Sequence, residues 1–345
     1  MRRDARALLT FSALNLLITA VLLLSPHRGV PRAYLSAPCT KTRVEDHLDG
    51  GILRAKRTCS DEPSILILTL TRDALSWGQN DGESRRSVYD HLQMIRDTGL
   101  DLRDVSLGLL TNDEQEYHLF KEATLDVPFA STTIYLHPGY SNTSTDRENR
   151  HGNEIQHARR SEVARLRNYL MLEVLKDESH IVWFDADVYR LSPGLIQAMI
   201  AHASRPDVGA ITTRCTKHGM GDYDLNAWSG RRKVPTAEQL AALDAGGDYY
   251  VPSDDEGMKH VGDLVKNASN EDLVPLDSVG ATSLYIRADL VRQGIAFPSV
   301  FAVGATWQRE GWDGIESEGI CFLARPLGKG CFVMGGDWEV QHTDS

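Results

Sequence analysis

Short runs of consecutive apolar residues recur along the chain, and such runs predict strands that are buried on both faces of a parallel sheet. Helical patterns lie between several of them: we predict one helix from about Glu83 to Thr98 and another from about Ser161 to Lys176. Alternating strands and helices are typical of an α/β fold with a mainly parallel central sheet. The predicted strands are Ser64–Leu70, Val105–Leu110, Thr132–Leu136, Ile181–Phe184, Val208–Thr212 and Ser283–Arg287.

Aspartates follow three of these predicted strands, at Asp73, Asp113 and Asp185. Ligands of mainly parallel sheets bind beyond the carboxyl ends of the strands. The sequence therefore predicts a functional rim where these strands end. The polar stretch from Pro138 to Gly152 is predicted to be a long loop.

The beginning of the chain has the pattern of a membrane anchor. Arg2, Arg3 and Arg6 precede a run from Ala7 to Leu24 that carries no charge. A helix of that length spans about 27 Å, close to the hydrocarbon core of an internal membrane. The preceding arginines favour a cytoplasmic amino terminus. A cleaved signal peptide is the alternative, and both interpretations place the rest of the chain in the secretory pathway.

This pattern predicts four segments: a cytoplasmic tail (1–6), a transmembrane signal anchor (7–24), a stem or linker (25–62) and a lumenal catalytic domain (63–345). Asn142 and Asn267 begin triplets that fit N-glycan acceptor sites. Such sites are modified only in the secretory pathway, so they agree with the predicted location.

The composition narrows the class of ligand. The net charge of −11 argues against a nucleic-acid surface, which needs clustered lysine and arginine. The negative charge of a phosphate-bearing substrate must then be neutralised by local cationic side chains or by a metal ion. The cysteines lack the C-x-x-C spacing of zinc and redox sites. Cys39–Cys59 and Cys321–Cys331 are candidate disulfides, with buried thiols as the alternative.

Asp185-Ala186-Asp187 directly follows the predicted strand Ile181–Phe184. In extended backbone both carboxylates project to the same side, where they repel each other unless a cation lies between them. A hard divalent ion, Mn²⁺ or Mg²⁺, would relieve that repulsion and bind diphosphate oxygens. The alternative is a pair that caps a helix beginning near Pro193. A D-x-D triplet after a hydrophobic strand is the pattern of GT-A glycosyltransferases, whose nucleotide-sugar-binding domain is Rossmann-like.

Several segments together resemble the fungal mannan-polymerase α-1,6-mannosyltransferases, glycosyltransferase family 62. They occur in the family's order over about residues 64 to 342. The matching segments are Leu70–Ala74, Arg165–Leu170, Val182–Val188, Tyr223–Trp228, Asp277–Thr282 and Glu316–Gly319, with His342 near the end.

The resemblance implies a GT-A fold, GDP-mannose as donor, Mn²⁺ as cofactor and a mannose-containing glycan as acceptor. It also implies retention of the anomeric configuration, a single-pass type II anchor in the Golgi membrane and hetero-oligomeric complexes with related glycosyltransferases. Carried over by position, Asp185 and Asp187 would bind the metal, with His342 as third ligand.

The chain departs from the family pattern in three places. It has Gly280-Ala281 where the family usually has two glycines. Ile320-Cys321-Phe322-Leu323 replaces an aromatic residue followed by Lys-Met, and the stretch from Phe301 to Gly314 is longer than expected. These departures bear on the acceptor more than on the donor chemistry.

Other polar residues are candidates for the donor site, each with a plainer alternative. Arg165 and Arg167 could bind the diphosphate, or form an exposed helix face. Arg72 and Asp73 could contact the base and ribose of the nucleotide, and so could Asp113. The alternative is that these are ordinary polar loop residues. Asp224, Asn226 and Trp228 could shape the sugar pocket, or form a structural turn.

Three acids remain as catalytic or sugar-binding candidates. Asp277 precedes Gly280, where backbone could approach a ligand closely. Glu316 and Glu318 could contact the acceptor or assist catalysis, or favour a helix start. Two rival functions stay open: a catalytically silent subunit of a glycosyltransferase complex, and a GT-A enzyme with another nucleotide sugar.

Overall fold

The computed structural model describes residues 40–46, 51–58, 64–79, 84–137, 153–217, 220–245 and 257–343. The chain divides into two units, residues 1–38 and 39–345. The first unit lies outside the described residues, and so do the predicted tail, the predicted anchor and the predicted loop 138–152. Within the described ranges no helix is both long enough and apolar enough to cross a membrane.

Strands and helices alternate through the second unit. The strands are β1 (Thr40–Asp46), β2 (Ile52–Thr58), β3 (Ile65–Leu70), β4 (Val105–Thr111), β5 (Ser131–Leu136), β6 (His180–Phe184), β7 (Val188–Leu191), β8 (Val208–Thr212), β9 (Arg214–Lys217), β10 (Trp228–Ser229), β11 (Lys259–His260), β12 (Leu273–Leu276), β13 (Ser283–Arg287), β14 (Gly330–Met334) and β15 (Glu339–His342). The helices are α1 (Val88–Asp97), α2 (Glu114–Ala123), α3 (Asn153–Val174), α4 (Leu195–His202), α5 (Ala237–Asp244), α6 (Val261–Val265), α7 (Ala288–Arg292) and α8 (Ser317–Ala324).

The main sheet has the order β1-β2-β5-β4-β3-β6-β13-β8-β14-β12. The predicted α/β class is confirmed, but the sheet is mixed rather than mainly parallel. Four neighbouring pairs are parallel and five are antiparallel. The run β5-β4-β3-β6 is parallel throughout, and β13 then enters between β6 and β8 in the opposite direction. A pattern of apolar residues carries no strand direction, so the sequence could not predict this insertion.

The predicted stem is partly a hairpin of this sheet. β1 and β2 pair with each other, and β2 continues the sheet beside β5. Along β2, Leu53 is buried while its neighbour Arg54 is exposed, as expected for a strand with one covered face. The segment was predicted as a linker because few of its residues are apolar. It forms strands because β2 pairs with β5.

Helices cover both faces of the sheet. Ile65 and Ile67 pack on one face with residues of α1, α2 and α4, whereas Leu66 and Leu68 pack on the other with residues of α3, α7 and α8. This alternation follows from the period of two along a strand. Helix α3 begins at Asn153, upstream of the predicted start at Ser161. The prediction missed its first turns because they are polar and show no apolar period.

A disulfide joins Cys321 on α8 to Cys331 on β14, which confirms that candidate pair. Cys215 is a buried free thiol, and burial raises its pKa. Cys39 and Cys59 lie outside the described residues. The disulfide fastens α8, which begins at Ser317, directly to the main sheet.

Candidate functional site

Asp185 and Asp187 lie where β6 leaves the main sheet. β6 is buried from Ile181 to Phe184, and the Asp185 amide donates to the Thr282 carbonyl at 3.1 Å. The chain then turns, with the Val188 amide donating to the Asp185 carbonyl at 3.2 Å, and continues as β7. The alternative role as a helix cap does not apply, because α4 follows Gly194 without a side-chain cap.

His342 lies against this turn although it is far away in sequence. β15 pairs with β7 on one side and with β9 on the other. The His342 Nε2 atom is 2.8 Å from Asp187 Oδ2, and the Thr343 amide donates to the Asp187 carbonyl at 2.9 Å. The structure therefore brings His342 against Asp187, while Asp185 lies two residues before Asp187 in the same turn.

The ring of His342 is held in one orientation. Its Nδ1 atom lies 2.7 Å from the Thr343 carbonyl, which can only accept, so Nδ1 carries a proton and Nε2 faces Asp187. The Tyr223 ring packs on the imidazole with centroids 4.1 Å apart. Burial alone would lower the pKa of His342, but its hydrogen bond to Asp187 raises the pKa above the ordinary value.

The donor set fits a divalent cation. Asp187 Oδ1 is buried and has no hydrogen-bond partner among the described residues, which leaves an oxygen ready to bind a ligand. Carboxylate oxygens and an imidazole nitrogen suit Mn²⁺, and an Nδ1–H bonded to a carbonyl is the usual support of a ligating histidine. In the described part of the chain, no group of three or more His, Cys, Asp or Glu side chains is arranged so that it could hold a metal ion; the fit to a cation is one of donor types. The metal role stays a prediction.

Arg167 is buried behind Asp185. Its guanidinium contacts Asp185 Oδ1 at 2.8 Å and Glu316 Oε1 at 3.2 Å, and it lies over the rings of Trp183 and Phe297. Burial raises the pKa of Asp185 to about 6, and the charge of Arg167 opposes that rise. Because two carboxylates already occupy this guanidinium, it holds Asp185 in place rather than facing the open rim.

The structure does not bring Arg165 into the site. Two residues apart on a helix point to nearly opposite sides, and Arg165 is exposed while Arg167 is buried. The structure therefore supports the alternative of an exposed helix face for Arg165, and a diphosphate contact by either arginine stays a prediction.

Glu316 and Glu318 lie beside the arginines of α3. Glu316 precedes α8 with φ of 56° and does not cap it through its side chain; such a backbone conformation costs a non-glycine residue about 1–3 kcal/mol. The Arg160 guanidinium lies 3.7 Å from Glu316 and 2.9 Å from Glu318. Burial raises the pKa of Glu318, against the nearby charge of Arg160. The strained turn thus places both acids against cations.

Two arginines at the site were not predicted from the sequence. Arg160 pairs the two glutamates, as described above. Arg86 is buried, and its Nη1 atom donates to the carbonyls of Trp77 at 3.0 Å and Ala186 at 3.2 Å. It therefore fixes the peptide between the two aspartates. Neither arginine lies in a motif, and only the tertiary contact reveals its role.

Asp73 and Asp113 end β3 and β4 as predicted, and each caps a helix. Asp73 accepts from the Leu75 amide at 2.8 Å in a capping box, and Asp113 accepts from the Glu116 amide at 2.9 Å. Arg72 is half-buried next to Asp73. Nucleotide contacts by Arg72, Asp73 and Asp113 stay predictions. Both aspartates also have a structural role, because each caps a helix.

The segment around Asp224 is held together by its own hydrogen bonds. The Asp224 carboxylate accepts from the Thr282 hydroxyl at 2.9 Å and from the Asn226 amide at 3.2 Å, and burial raises its pKa. A Cβ atom at Gly280 would lie 1.8 Å from Asp224 Oδ2. Glycine at 280 therefore makes room for this carboxylate, and the approach of its backbone to a ligand stays a prediction.

Trp228 and Asp277 are likewise engaged by neighbours. Trp228 is buried, with the Arg232 guanidinium 4.8 Å from its ring centroid. Asp277 accepts from the Gly230 amide at 2.9 Å and from Arg325 at 2.9 Å. Sugar contacts by this segment stay predictions. Asn267 is exposed, as a glycan acceptor must be, and Asn142 lies outside the described residues.

The family model Anp1 matches residues 52–301. The mannan polymerase complex subunit mnn9 of Schizosaccharomyces pombe is 29% identical over 219 residues, covering 61% of this chain and 60% of that protein. The mannan polymerase complex subunit MNN9 of Candida albicans is 29% identical over 215 residues, covering 58% and 54%. The chain thus spans little more than half the length of these curated relatives.

Among solved structures, the mannosyltransferase PcManGT from Pyrobaculum calidifontis, in complex with GDP-Man and Mn²⁺, aligns with a TM-score of 0.44. It is 10% identical and covers 82% of this chain and 57% of that chain. A likeness at this level carries no argument about function.

Proposed function

The chain belongs to the Anp1 family, and on that premise we propose that it is a metal-dependent, retaining mannosyltransferase with a GT-A-type domain. The proposed reaction moves mannose from GDP-mannose to a mannose-containing glycan. We further propose that the chain is a single-pass type II protein of the Golgi membrane and works in a complex with related glycosyltransferases. Two of its relatives are named as subunits of mannan polymerase complexes, which supports the last point.

One observation carries the proposal: His342 contacts Asp187 just beyond the carboxyl end of β6, and a buried oxygen of Asp187 has no hydrogen-bond partner among the described residues. A carboxylate oxygen in that condition is costly unless a ligand binds it. The site therefore suits a cation better than it suits a purely structural role.

A divalent metal bound by Asp185, Asp187 and His342 would neutralise diphosphate oxygens and stabilise the departing nucleoside diphosphate. The protein's own groups prepare that position. Arg167 holds Asp185, the Thr343 carbonyl aims the imidazole of His342, and Arg86 holds the Ala186 peptide. Preorganised groups of this kind cost no reorganisation during the reaction.

Glu316 and Glu318 are proposed to serve the acceptor side. Both are paired with arginines, and an ion-paired carboxylate is a weaker nucleophile than a solvated one. This favours positioning over a covalent sugar intermediate and leaves a same-face attack, assisted by the leaving phosphate, as the route to retention.

The test measures release of GDP and transfer of mannose by the purified chain with Mn²⁺. We expect Asp187→Asn and His342→Ala to lose most activity and also the thermal shift produced by GDP-mannose with Mn²⁺. Glu271→Gln, which removes an exposed acid, serves as control. Full activity in Asp187→Asn would rule out the metal role.

A catalytically silent subunit is the second candidate, because the named relatives are described as subunits of complexes. Turnover by the isolated chain decides between the two. A GT-A enzyme with another donor, such as a UDP-sugar, is separated by comparing the thermal shifts that GDP-mannose and UDP-sugars produce with Mn²⁺.

A further inference from the structure

Trp307 lies fully exposed on a hairpin-shaped loop, termed the hairpin, formed by residues 301–313. Val303 and Asp313 form an isolated antiparallel bridge, with the Val303 amide donating to the Asp313 carbonyl at 2.9 Å, and the Gly311 amide donates to the Phe301 carbonyl at 2.8 Å. At the tip, the Thr306 amide donates to the Arg309 carbonyl at 2.9 Å. The indole is 103% exposed relative to its reference state, so the hairpin presents the whole ring to solvent.

The hairpin is braced rather than loose. Arg309 lies 3.4 Å from Asp244 at the end of α5, and Glu310 lies 2.9 Å from His157 on α3. The ring of Trp312 fills the space beside Gly304, where a Cβ atom would lie 1.9 Å from it. A ring on a braced tip loses little freedom when it binds, which favours recognition.

Helix α3 gives the distance from this hairpin to the candidate site. His157 contacts Glu310 of the hairpin, Arg160 contacts Glu318, and Arg167 contacts Asp185. From His157 to Arg167 the helix rises about 15 Å at 1.5 Å per residue. Trp307 lies three residues before Glu310 in the sequence.

The surroundings of Trp307 select its ligand. Its neighbours Thr306 and Gln308 are polar and exposed, so polar side chains flank the ring on both sides along the chain. A stable protein interface buries about 800 Å² on each partner, far more than one indole offers. A single ring flanked by hydroxyl, amide and guanidinium groups matches the apolar face of one sugar and its surrounding hydroxyls.

We propose that Trp307 is a remote acceptor subsite, on which the indole stacks against a sugar of the glycan several residues away from the site of transfer. The identity of the glycan as mannose-containing rests on the proposed function. The hairpin follows the segment that the family model matches, which ends at residue 301. The subsite is thus carried by a part of the chain that departs from the family pattern.

The test is equilibrium binding of α-linked mannose oligosaccharides, from the monosaccharide to the hexasaccharide, to the full-length chain by calorimetry. The affinity of the wild-type chain should rise with the length of the oligosaccharide until the oligosaccharide is long enough to contact the Trp307 ring. Trp307→Ala should weaken the hexasaccharide by about tenfold, in line with one lost stacking contact, and should leave the monosaccharide unchanged. Trp307→Tyr should retain most of the affinity. Tyr89→Ala, which removes another exposed aromatic ring, is the control.

The outcomes separate this inference from the proposed function. Equal affinity of wild type and Trp307→Ala for the hexasaccharide would overturn the subsite, and so would wild type that binds no oligosaccharide. The subsite would also be overturned if Trp307→Ala impaired only complex assembly or only binding to vesicles, because the ring would then contact a protein or a membrane. Loss of the GDP-mannose thermal shift in Asp187→Asn tests the donor site alone and does not depend on Trp307.

Discussion

Replacing Arg167 by methionine removes the buried cation that lies between two acids of the site. The side chain of Arg167 is 6% exposed and contacts Asp185 and Glu316. Methionine keeps an apolar stem against Trp183 and Phe297, so the main loss is charge. We expect the variant to fold but to be clearly less stable.

The expected loss of stability in Arg167→Met depends on how buried Asp185 and Glu316 are. Removing one member of a buried ion pair costs about 3–5 kcal/mol, because it leaves an uncompensated charge. The Glu316 side chain is 11% exposed, whereas that of Asp185 is 37% exposed and can be rehydrated. Most of the cost therefore falls on Glu316, which keeps the Arg160 guanidinium at 3.7 Å, so we expect a loss near the lower end, about 3 kcal/mol.

Urea unfolding of a double-mutant cycle measures this energy. Arg167→Met and Glu316→Gln should each destabilise, and the double variant should lose about 1–3 kcal/mol less than their sum, because the residues are in contact. Arg165→Met, on the exposed side of the same helix, should change the free energy of unfolding by less than about 0.5 kcal/mol. Additive single effects, or equal losses in Arg165→Met and Arg167→Met, would refute the reasoning.

Three further predictions concern stability and are read from unfolding curves. Gly280→Ala should cost about 1–3 kcal/mol, because its Cβ would meet Asp224 Oδ2 at 1.8 Å, whereas Gly257→Ala, with open space around it, should be neutral. Burial, with a smaller effect of Arg86, lowers the pKa of His91 from 6.5 to about 3; the unfolded chain then takes up a proton as the pH falls below 6.5 and the folded chain does not. Between pH 7 and pH 5 this should remove about 2 kcal/mol of stability, and His91→Gln should show a flatter pH dependence; parallel curves would contradict the assignment. Reduction of Cys321–Cys331 should cost about 3 kcal/mol, and a Cys321→Ser/Cys331→Ser double variant should no longer respond to reductant.

The central strands could be predicted because their signal is local. β3, β4 and β6 are rich in apolar residues, and their observed bounds differ from the predicted ones by only a residue or so. The edge hairpin β1–β2 lacked such a run, since Arg54, Lys56 and Arg57 alternate with its few apolar residues. Its order comes from pairing with β5, a contact that no local pattern contains.

The same distinction applies to the candidate site. Asp185 and Asp187 were found because a strand precedes them, and His342 was found only through the family resemblance. Arg86 and Arg160 were missed, since an isolated arginine has no signature until its partners are in place. Arg165 was included because a sequence segment does not show which side of a helix faces the site.

The pairing of β7 with β15 has a consequence for how the protein is made. Tyr189 and Gln341, bonded across these strands, are 152 residues apart. The ribosome delivers Asp185 and Asp187 early, and their imidazole neighbour reaches them only after nearly all the intervening sheet has been synthesised. Contacts of such long range form late and slowly. The nascent chain thus carries Asp185 and Asp187 without His342 for much of its synthesis, and His342 can first contact Asp187 only when β15 has been made.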